Sequence, residues 1–374
     1  MRLLFLTENY PPDRGGMSES CDRIVRGLAR AGAIIDVVHF DRRSVETSSR
    51  ATSFGSLTSV AAEADAAHTI NLLWNALPRD RNTHVIAFGG HMPLLCGPAF
   101  AAWLQLPLVT LIRGNELDAG LFDARRRPIL DDALRRSAAV CTVTTAQAEK
   151  IAALYPEVAT HVIANGIDFD LWQPTDADRA KAAAFRARTD RRLLGMVGHL
   201  KRKKGITFFA GALRSFAEAF HLLLVGELEE TVDVEHTLLP PTGRLELIPY
   251  YLACDLIVLP SHYDGFPNVL IEAAALGRPL LASATGGMRD LLTDGEDAFL
   301  FAPGDAHSCR EAIARAADAD DTTLRRMGAR AAEAARLHCD ARRETQRYSR
   351  VFEEVSDATN HHRVSDPVAG GVQG

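Results

Sequence analysis

Short runs rich in Val, Ile and Leu, each followed by a helical stretch, recur along the whole chain, and this alternation restricts the fold more than any other feature. A strand that is apolar along its length needs cover on both faces, as strands of parallel sheets have. The first half supplies Leu3 to Thr7, Ile34 to Phe40, His84 to Phe88, Leu108 to Ile112 and Ala139 to Val143. The second half restarts at Leu193 to Val197 and continues with His221 to Val225, Leu245 to Ile248, Asp255 to Leu259 and Pro279 to Ala282. Two Rossmann-like, doubly wound α/β domains follow. With 374 residues, 47% of them hydrophobic, the chain has the material for two cores. Asp168 to Arg192, charged, Ala-rich and carrying Pro174, reads as a connection containing a helix, with the hinge near it. The expected division is residues 1–168, a linker and second domain at 169–340, a charged helix at 341–356 packing back toward the first domain, and a disordered tail at 357–374.

Composition narrows the function. A net charge of -6 and a pI near 6.1 give no general attraction to phosphate polymers, so no nucleic-acid partner is expected and any anion site must be local. Cys21, Cys96, Cys141, Cys254, Cys309 and Cys339 contain no Cys-x-x-Cys pair and read as reduced, buried side chains. The apolar start is interrupted by Thr7, Glu8 and Asn9, too soon for a signal sequence or a membrane span. A cytosolic protein is expected.

The chemistry-bearing residues gather at strand ends. Leu259-Pro260-Ser261-His262-Tyr263-Asp264-Gly265-Phe266-Pro267-Asn268 leaves a buried strand, turns at Gly265 and enters a helix with Pro267 near its first position. The unpaired N–H groups and positive dipole end of a helix start suit a phosphate, and open parallel sheets bind ligands at the carboxyl ends of their strands. Asp264 precedes this helix and Glu272 lies in its early turns, so both carboxylates can flank one ligand; the helix should end at Gly277. A capping Asp with a solvated Glu is the plainer reading. Gly198-His199-Leu200-Lys201-Arg202-Lys203-Lys204-Gly205 offers four consecutive cations after another strand, a run that elsewhere is a solvated loop. Pro11-Pro12-Asp13-Arg14-Gly15-Gly16 follows the first strand and precedes a helix whose inward face carries Cys21, Ile24, Val25 and Leu28. On that helix Arg23, Arg26 and Arg30 form a stripe, either a solvated face or a contact for anionic lipid or an anionic acceptor.

Taken together these segments resemble glycosyltransferase family 4. Asp264 and Glu272 fall at the spacing of the family's Glu-x7-Glu signature within Pro-Ser-x-x-Glu-Gly-x-Pro-Asn, with Asp264 where many relatives carry Glu. Gly198 to Gly205 is similar to Gly-Arg-Leu-x-x-x-Lys-Gly, with Lys204 in the Lys position and His199 in the Arg position. Gly15-Gly16 is similar to the amino-terminal Gly-Gly loop. Arg113-Gly114-Asn115-Glu116 is similar to Arg-Gly-x-Asp, with Glu116 replacing Asp. Val162 to Asp168 resembles the Ile-Pro-Asn-Gly-Val-Asp segment closing the first domain, and Thr285 to Asp290 resembles the second-domain Gly-Gly-x-x-Glu loop.

The resemblance implies a GT-B architecture, two Rossmann-like domains facing across a cleft. It also implies retaining transfer of a sugar from a nucleotide-diphosphate donor to an acceptor hydroxyl that the sequence leaves unnamed. By the same resemblance Asp264, Lys204, Glu116 and Arg113 form the catalytic set. Gly16, His199, Lys204, Gly265, Phe266, Pro267, Asn268 and Glu272 bind the nucleotide sugar donor, and Gly15, Met17 and Asn115 lie on the acceptor side. Glu272 would take the ribose hydroxyls, because a carboxylate accepts two hydrogen bonds at once. Lys204 would neutralise the departing diphosphate with no cofactor and no metal. Oligomeric state stays open, as do two rivals: a catalytically silent nucleotide-sugar-binding protein, suggested by His199, Asp264 and Glu116, and a nucleotide-sugar epimerase on the same fold.

Overall fold

A computed structural model describes residues 1–62, 65–77 and 81–365, with side chains as far as Thr359. The chain forms two compact units. The first comprises Met1–Thr142, Gln147–Ile163 and the chain from Thr345 on; the second comprises Val143–Ala146 and Ala164–Glu344. The change of unit thus falls inside the Val162 to Asp168 segment, a few residues before the expected boundary.

In the first unit the strands are β1 (Arg2–Thr7), β2 (Ile34–Asp41), β3 (Ser48–Thr52), β4 (Gly55–Ala61), β5 (His84–Phe88), β6 (Leu108–Ile112), β7 (Ser137–Thr142) and β8 (Thr160–Val162). They lie in the order β3-β4-β2-β1-β5-β6-β7-β8, all parallel except the β3–β4 hairpin. Alternation along each strand sorts side chains to two faces. Leu3, Phe5, Ile35, Val37, Ile86 and Phe88 face the helix Gly16–Arg30, while Leu4, Leu6, Val38, Val85 and Ala87 face the helix His91–Leu104. Cys21, Ile24, Val25 and Leu28 are buried on the first of these helices.

The last helix, Ala341–Ser365, completes this core. Tyr348, Val351, Phe352 and Val355 are buried in the cluster that holds Leu3 and Phe5, and truncating Phe352 would cost about 3–5 kcal/mol. A Cβ on Gly27 would stand 2.2 Å from Thr345 Oγ1, so a larger residue there would have to turn the Thr345 side chain aside. The helix does not stop at residue 356, because no Gly or Pro occurs before Pro367 to break it. Residues 357–365 of the expected tail are therefore helical, and 366–374 lie outside the described residues.

In the second unit β9 (Arg192–Leu200), β10 (Phe220–Leu228), β11 (His236–Leu239), β12 (Leu256–Leu259), β13 (Leu280–Ser283) and β14 (Ala298–Phe301) form an all-parallel sheet in the order β11-β10-β9-β12-β13-β14. Leu194, Met196, Leu222 and Leu224 point to one face and Leu193, Val197, Leu223 and Val225 to the other. The linker helix is Asp176–Arg186, opened by a capping box in which Thr175 and Asp178 each bond the other's backbone N–H. One expected strand is absent: Leu245 to Ile248 forms a 3-10 turn, Leu245–Leu247, leading into the helix Ile248–Ala253. Pro249 has no N–H to give a sheet and fits the first turn of a helix, and Ile248 and Tyr251 bury the same helical face. All six cysteines are free and buried. Among the described residues no helix is long and apolar enough to cross a membrane.

Candidate active site

In the second sheet the chain leaves β9 for β10 and β11, then places β12 on the other side of β9, so the carboxyl ends of β9 and β12 flank a topological switch point. Two loops meet there. The loop after β9 holds the 3-10 turn Arg202–Lys204, closed by the Lys204 N–H to the Lys201 carbonyl at 2.7 Å. Gly205 follows at φ 68°, where a Cβ would stand 2.1 Å from the Pro260 carbonyl oxygen, so glycine lets the loops touch. The His262 N–H donates to the Lys203 carbonyl at 3.0 Å.

This contact brings Lys204 and Asp264 together. Lys204 Nζ donates to Asp264 Oδ2 at 2.5 Å, and Lys203 Nζ stands 3.7 Å from Oδ1. Burial alone would push the Asp264 carboxyl up, but Lys204, Lys203 and the Gly265 N–H outweigh it and hold the group below its ordinary value. Burial pushes the Lys203 ammonium down, with Asp264 opposing. Two further contacts fix the loop. Asn165 Nδ2 donates to the Phe266 carbonyl at 2.5 Å, and the Gly287 N–H donates to the Gly265 carbonyl at 2.6 Å. A Cβ on Gly286 would meet the Asp264 carbonyl oxygen at 1.9 Å, so this glycine too is a matter of close approach. Asp290, on the helix Gly286–Leu291, accepts the Thr145 N–H at 2.8 Å.

The helix after Asp264 is Asn268–Ala275, with Pro267 at the N-cap and Gly277 at φ 66° just past its end. Glu272 is buried on it. Its Oε1 accepts from Arg244 Nε and its Oε2 from the Tyr251 hydroxyl, both at 2.7 Å, while Trp172 Nε1 donates to its carbonyl at 3.0 Å. A carboxylate offers about four lone-pair sites, so these two bonds leave acceptor capacity on each oxygen. Burial and Glu272 raise the Tyr251 hydroxyl well above its ordinary value. Neither Arg244 nor Tyr251 stood out in the sequence, since both flank or follow the segment read as a strand. His199, half-exposed, is bonded to Glu229, with Glu227 at 4.0 Å.

The first sheet has its own switch point, where β1 lies between β2 and β5. A cavity of about 270 Å³ opens among the loops that follow β1, β5 and β6, and Met17, Asn115 and Glu116 line it together with Glu8 and His91. Glu8 accepts the N–H groups of His91 and Met92 at 3.2 and 2.8 Å, a carboxylate set at the start of the helix His91–Leu104. Glu116 Oε1 accepts the Arg113 N–H at 2.7 Å. Burial pushes the Glu116 carboxyl up, partly offset by backbone N–H groups of Arg113, Glu116 and Gly114. Gly89 and Gly90 have φ of 45° and 77°, and a Cβ on either would lie 2.7 Å from a carboxylate oxygen of Glu116 or Glu8 respectively. Arg113 does not line this cavity: it is buried, donates to the Tyr348 hydroxyl and lies 5.6 Å from the Phe88 ring centroid. Gly15 and Gly16 are exposed at the start of the first helix. Among the described residues no group of three His, Cys, Asp or Glu is placed to hold a metal ion.

Comparison with known proteins finds relatives of both halves of the chain. Residues 14–171 match the family model described as Glycosyltransferase Family 4, and residues 191–319 match the one described as Glycosyl transferases group 1. The chain belongs to glycosyltransferase family 4. The glycogen synthase of Mycobacterium tuberculosis (strain ATCC 25618 / H37Rv) is 28% identical over 378 residues, 88% of this chain and 89% of that protein. The D-inositol 3-phosphate glycosyltransferase of Xylanimonas cellulosilytica is 30% identical over 222 residues, 54% of this chain and 53% of that protein. The chain spans about half the length of this relative and of its Mycolicibacterium smegmatis namesake. Among solved structures, the sucrose-phosphate synthase of Thermosynechococcus elongatus aligns with TM-score 0.78 at 19% identity, over 96% of this chain and 99% of that one. Anabaena HepE in complex with UDP-glucose aligns with TM-score 0.74 at 18% identity, over 95% of this chain and 100% of that one. At such identities the likeness is one of fold.

Proposed function

We propose that this protein is a retaining glycosyltransferase that moves a sugar from a nucleoside-diphosphate donor to an acceptor hydroxyl. The observation that carries the reading is the Lys204–Asp264 pair at the switch point of the second sheet, with Lys203 beside it. A departing nucleoside diphosphate gains negative charge as the bond to the anomeric carbon breaks, and fixed ammonium groups stabilise that charge at no cost in reorganisation. Lys203 and Lys204, gathered by the Asp264 carboxylate at this switch point, are the cations assigned to it. Glu272, anchored by Arg244 and Tyr251, takes the ribose hydroxyls with its remaining lone pairs. Asp264 positions Lys204 and the transferred sugar. The acceptor oxygen bonds to the anomeric carbon on the face the diphosphate leaves, and the acceptor proton passes to a phosphate oxygen of the leaving group. No metal is called upon in this scheme. A nucleotide-sugar donor is supported by the fold shared with HepE, a protein solved with UDP-glucose. The cytosol is the assigned compartment, in keeping with six free cysteines.

The test begins with thermal-shift screening of nucleotide sugars, since a ligand that binds only the folded state raises the melting temperature. Release of nucleoside diphosphate is then followed with the donor so found. Lys204→Ala should lower kcat/KM about 10²–10³-fold; unchanged kinetics overturn the assignment. Donor binding with neither transfer nor hydrolysis by the wild type would mark a silent binder instead.

A further inference from the structure

Resting on the transfer reading above, the cavity of the first unit also bears on what receives the sugar. Four of its lining residues are charged: Glu8, Glu116, Arg42 and Arg126. The two acids are already engaged, Glu8 by the N–H groups of His91 and Met92 and Glu116 by that of Arg113. The two guanidinium groups are held more loosely, each in one long ion pair. Their carboxylate neighbours, Glu8 for Arg42 and Asp123 for Arg126, stand at 3.9 and 3.7 Å, beyond hydrogen-bond reach. Both side chains are mostly exposed, at 76% and 58%, and each planar fork matches a carboxylate or a phosphate in bidentate fashion.

The rest of the lining suits a polyol. Asn9 and Asn115 offer amides that both donate to and accept from hydroxyl groups, against an apolar wall that includes Leu94 and Ile129. The volume of about 270 Å³ lies just below the usual ~300–1,000 Å³ of small-molecule pockets, a size that suits a single ring. The cavity also occupies the carboxyl end of the first sheet at its switch point, where open parallel sheets bind ligands. We infer that the acceptor is a single-ring polyol bearing one anionic group, phosphate or carboxylate, held by Arg42 and Arg126.

The test measures binding to the full chain of glucose, mannose and myo-inositol, each as neutral parent and as monophosphate, with glucuronate and galacturonate as carboxylates. At least one charged member should bind tenfold or more tightly than its neutral parent, and added salt should weaken the preference. In the double variant Arg42→Gln/Arg126→Gln the preference should fall to within about twofold, a loss expected from removing bidentate anion contacts. Arg127→Gln, which alters an exposed arginine paired with Asp131 and absent from the lining, should retain it. Preference for monophosphates alone identifies the anion as phosphate; preference for uronates alone identifies it as carboxylate. Equal binding of neutral parents, binding of no member, or a preference that survives the double variant overturns the inference. UDP, ADP and GDP binding on the same proteins separates the two readings. If the wild type binds none of them, the transfer reading itself fails; if it binds one and shows no charge preference, only the acceptor inference does.

Discussion

The Arg244–Glu272 pair permits a quantitative test of how the second unit is held and how the ribose carboxylate is aimed. The side chains are 26% and 5% exposed, so Arg244→Met strands a nearly dry carboxylate with only Tyr251 as donor. Removing one partner of a buried ion pair costs about 3–5 kcal/mol, and the lower end applies because a quarter of the arginine is already in water. The second unit has about 185 residues, for which ~1 kcal/mol shifts the melting temperature by ~2–4 °C, so a fall of about 6–12 °C is expected. Glu272→Gln added to Arg244→Met should cost less than the sum of the two single changes by about 1–3 kcal/mol, the coupling expected of groups in direct contact. Urea melts followed by the emission of Trp172, in a background with Trp74→Phe and Trp103→Phe, report on this unit, since Trp172 bonds the Glu272 carbonyl. Additive costs, or a loss below about 1 kcal/mol for Arg244→Met, would refute the reasoning.

Two further outcomes are expected. Gly205→Ala must place a side chain at φ 68° and against the Pro260 carbonyl, so it should lose about 1–3 kcal/mol or more in a denaturant melt and most of its turnover; wild-type values for both would show that the two loops need not touch. Asp264 has a depressed folded value, so its ion pair stabilises at neutral pH and that contribution is lost as pH falls below the ordinary ~3.9 and through the depressed value. The stability gap between wild type and Asp264→Asn should therefore be full at pH 6 and close toward pH 2–3, and a gap independent of pH would contradict the pairing.

Much of the frame was legible from apolar runs, because a strand buried on both faces leaves a continuous signal. His84–Phe88 and Leu108–Ile112 fall where the sequence puts them. The strands Ser48–Thr52 and Gly55–Ala61 escaped because a hairpin at a sheet edge is half polar, and Leu245 to Ile248 misled because four apolar residues cannot distinguish a period of two from one of 3.6. At the site, motif spacing singled out Lys204 and Asp264, which the fold joins directly. It could not single out Arg244, Tyr251, Arg42 or Arg126, whose roles depend on which loops the topology gathers, nor that Arg113 turns toward Tyr348.

The helix that begins at Ala341 crosses from the second unit to the first at Thr345, and it has a consequence for synthesis. Chains are made from the amino end at roughly 5–20 residues per second, so the first sheet emerges from the ribosome roughly 10–40 s before the Tyr348 and Phe352 that seal one of its faces. During that interval Leu3, Phe5 and Ile86 lack their final cover, and chaperones have a reason to attend the nascent chain. Deletions that reach back through this helix should accordingly unfold the first unit before the second, although the cut removes none of the first unit's strands.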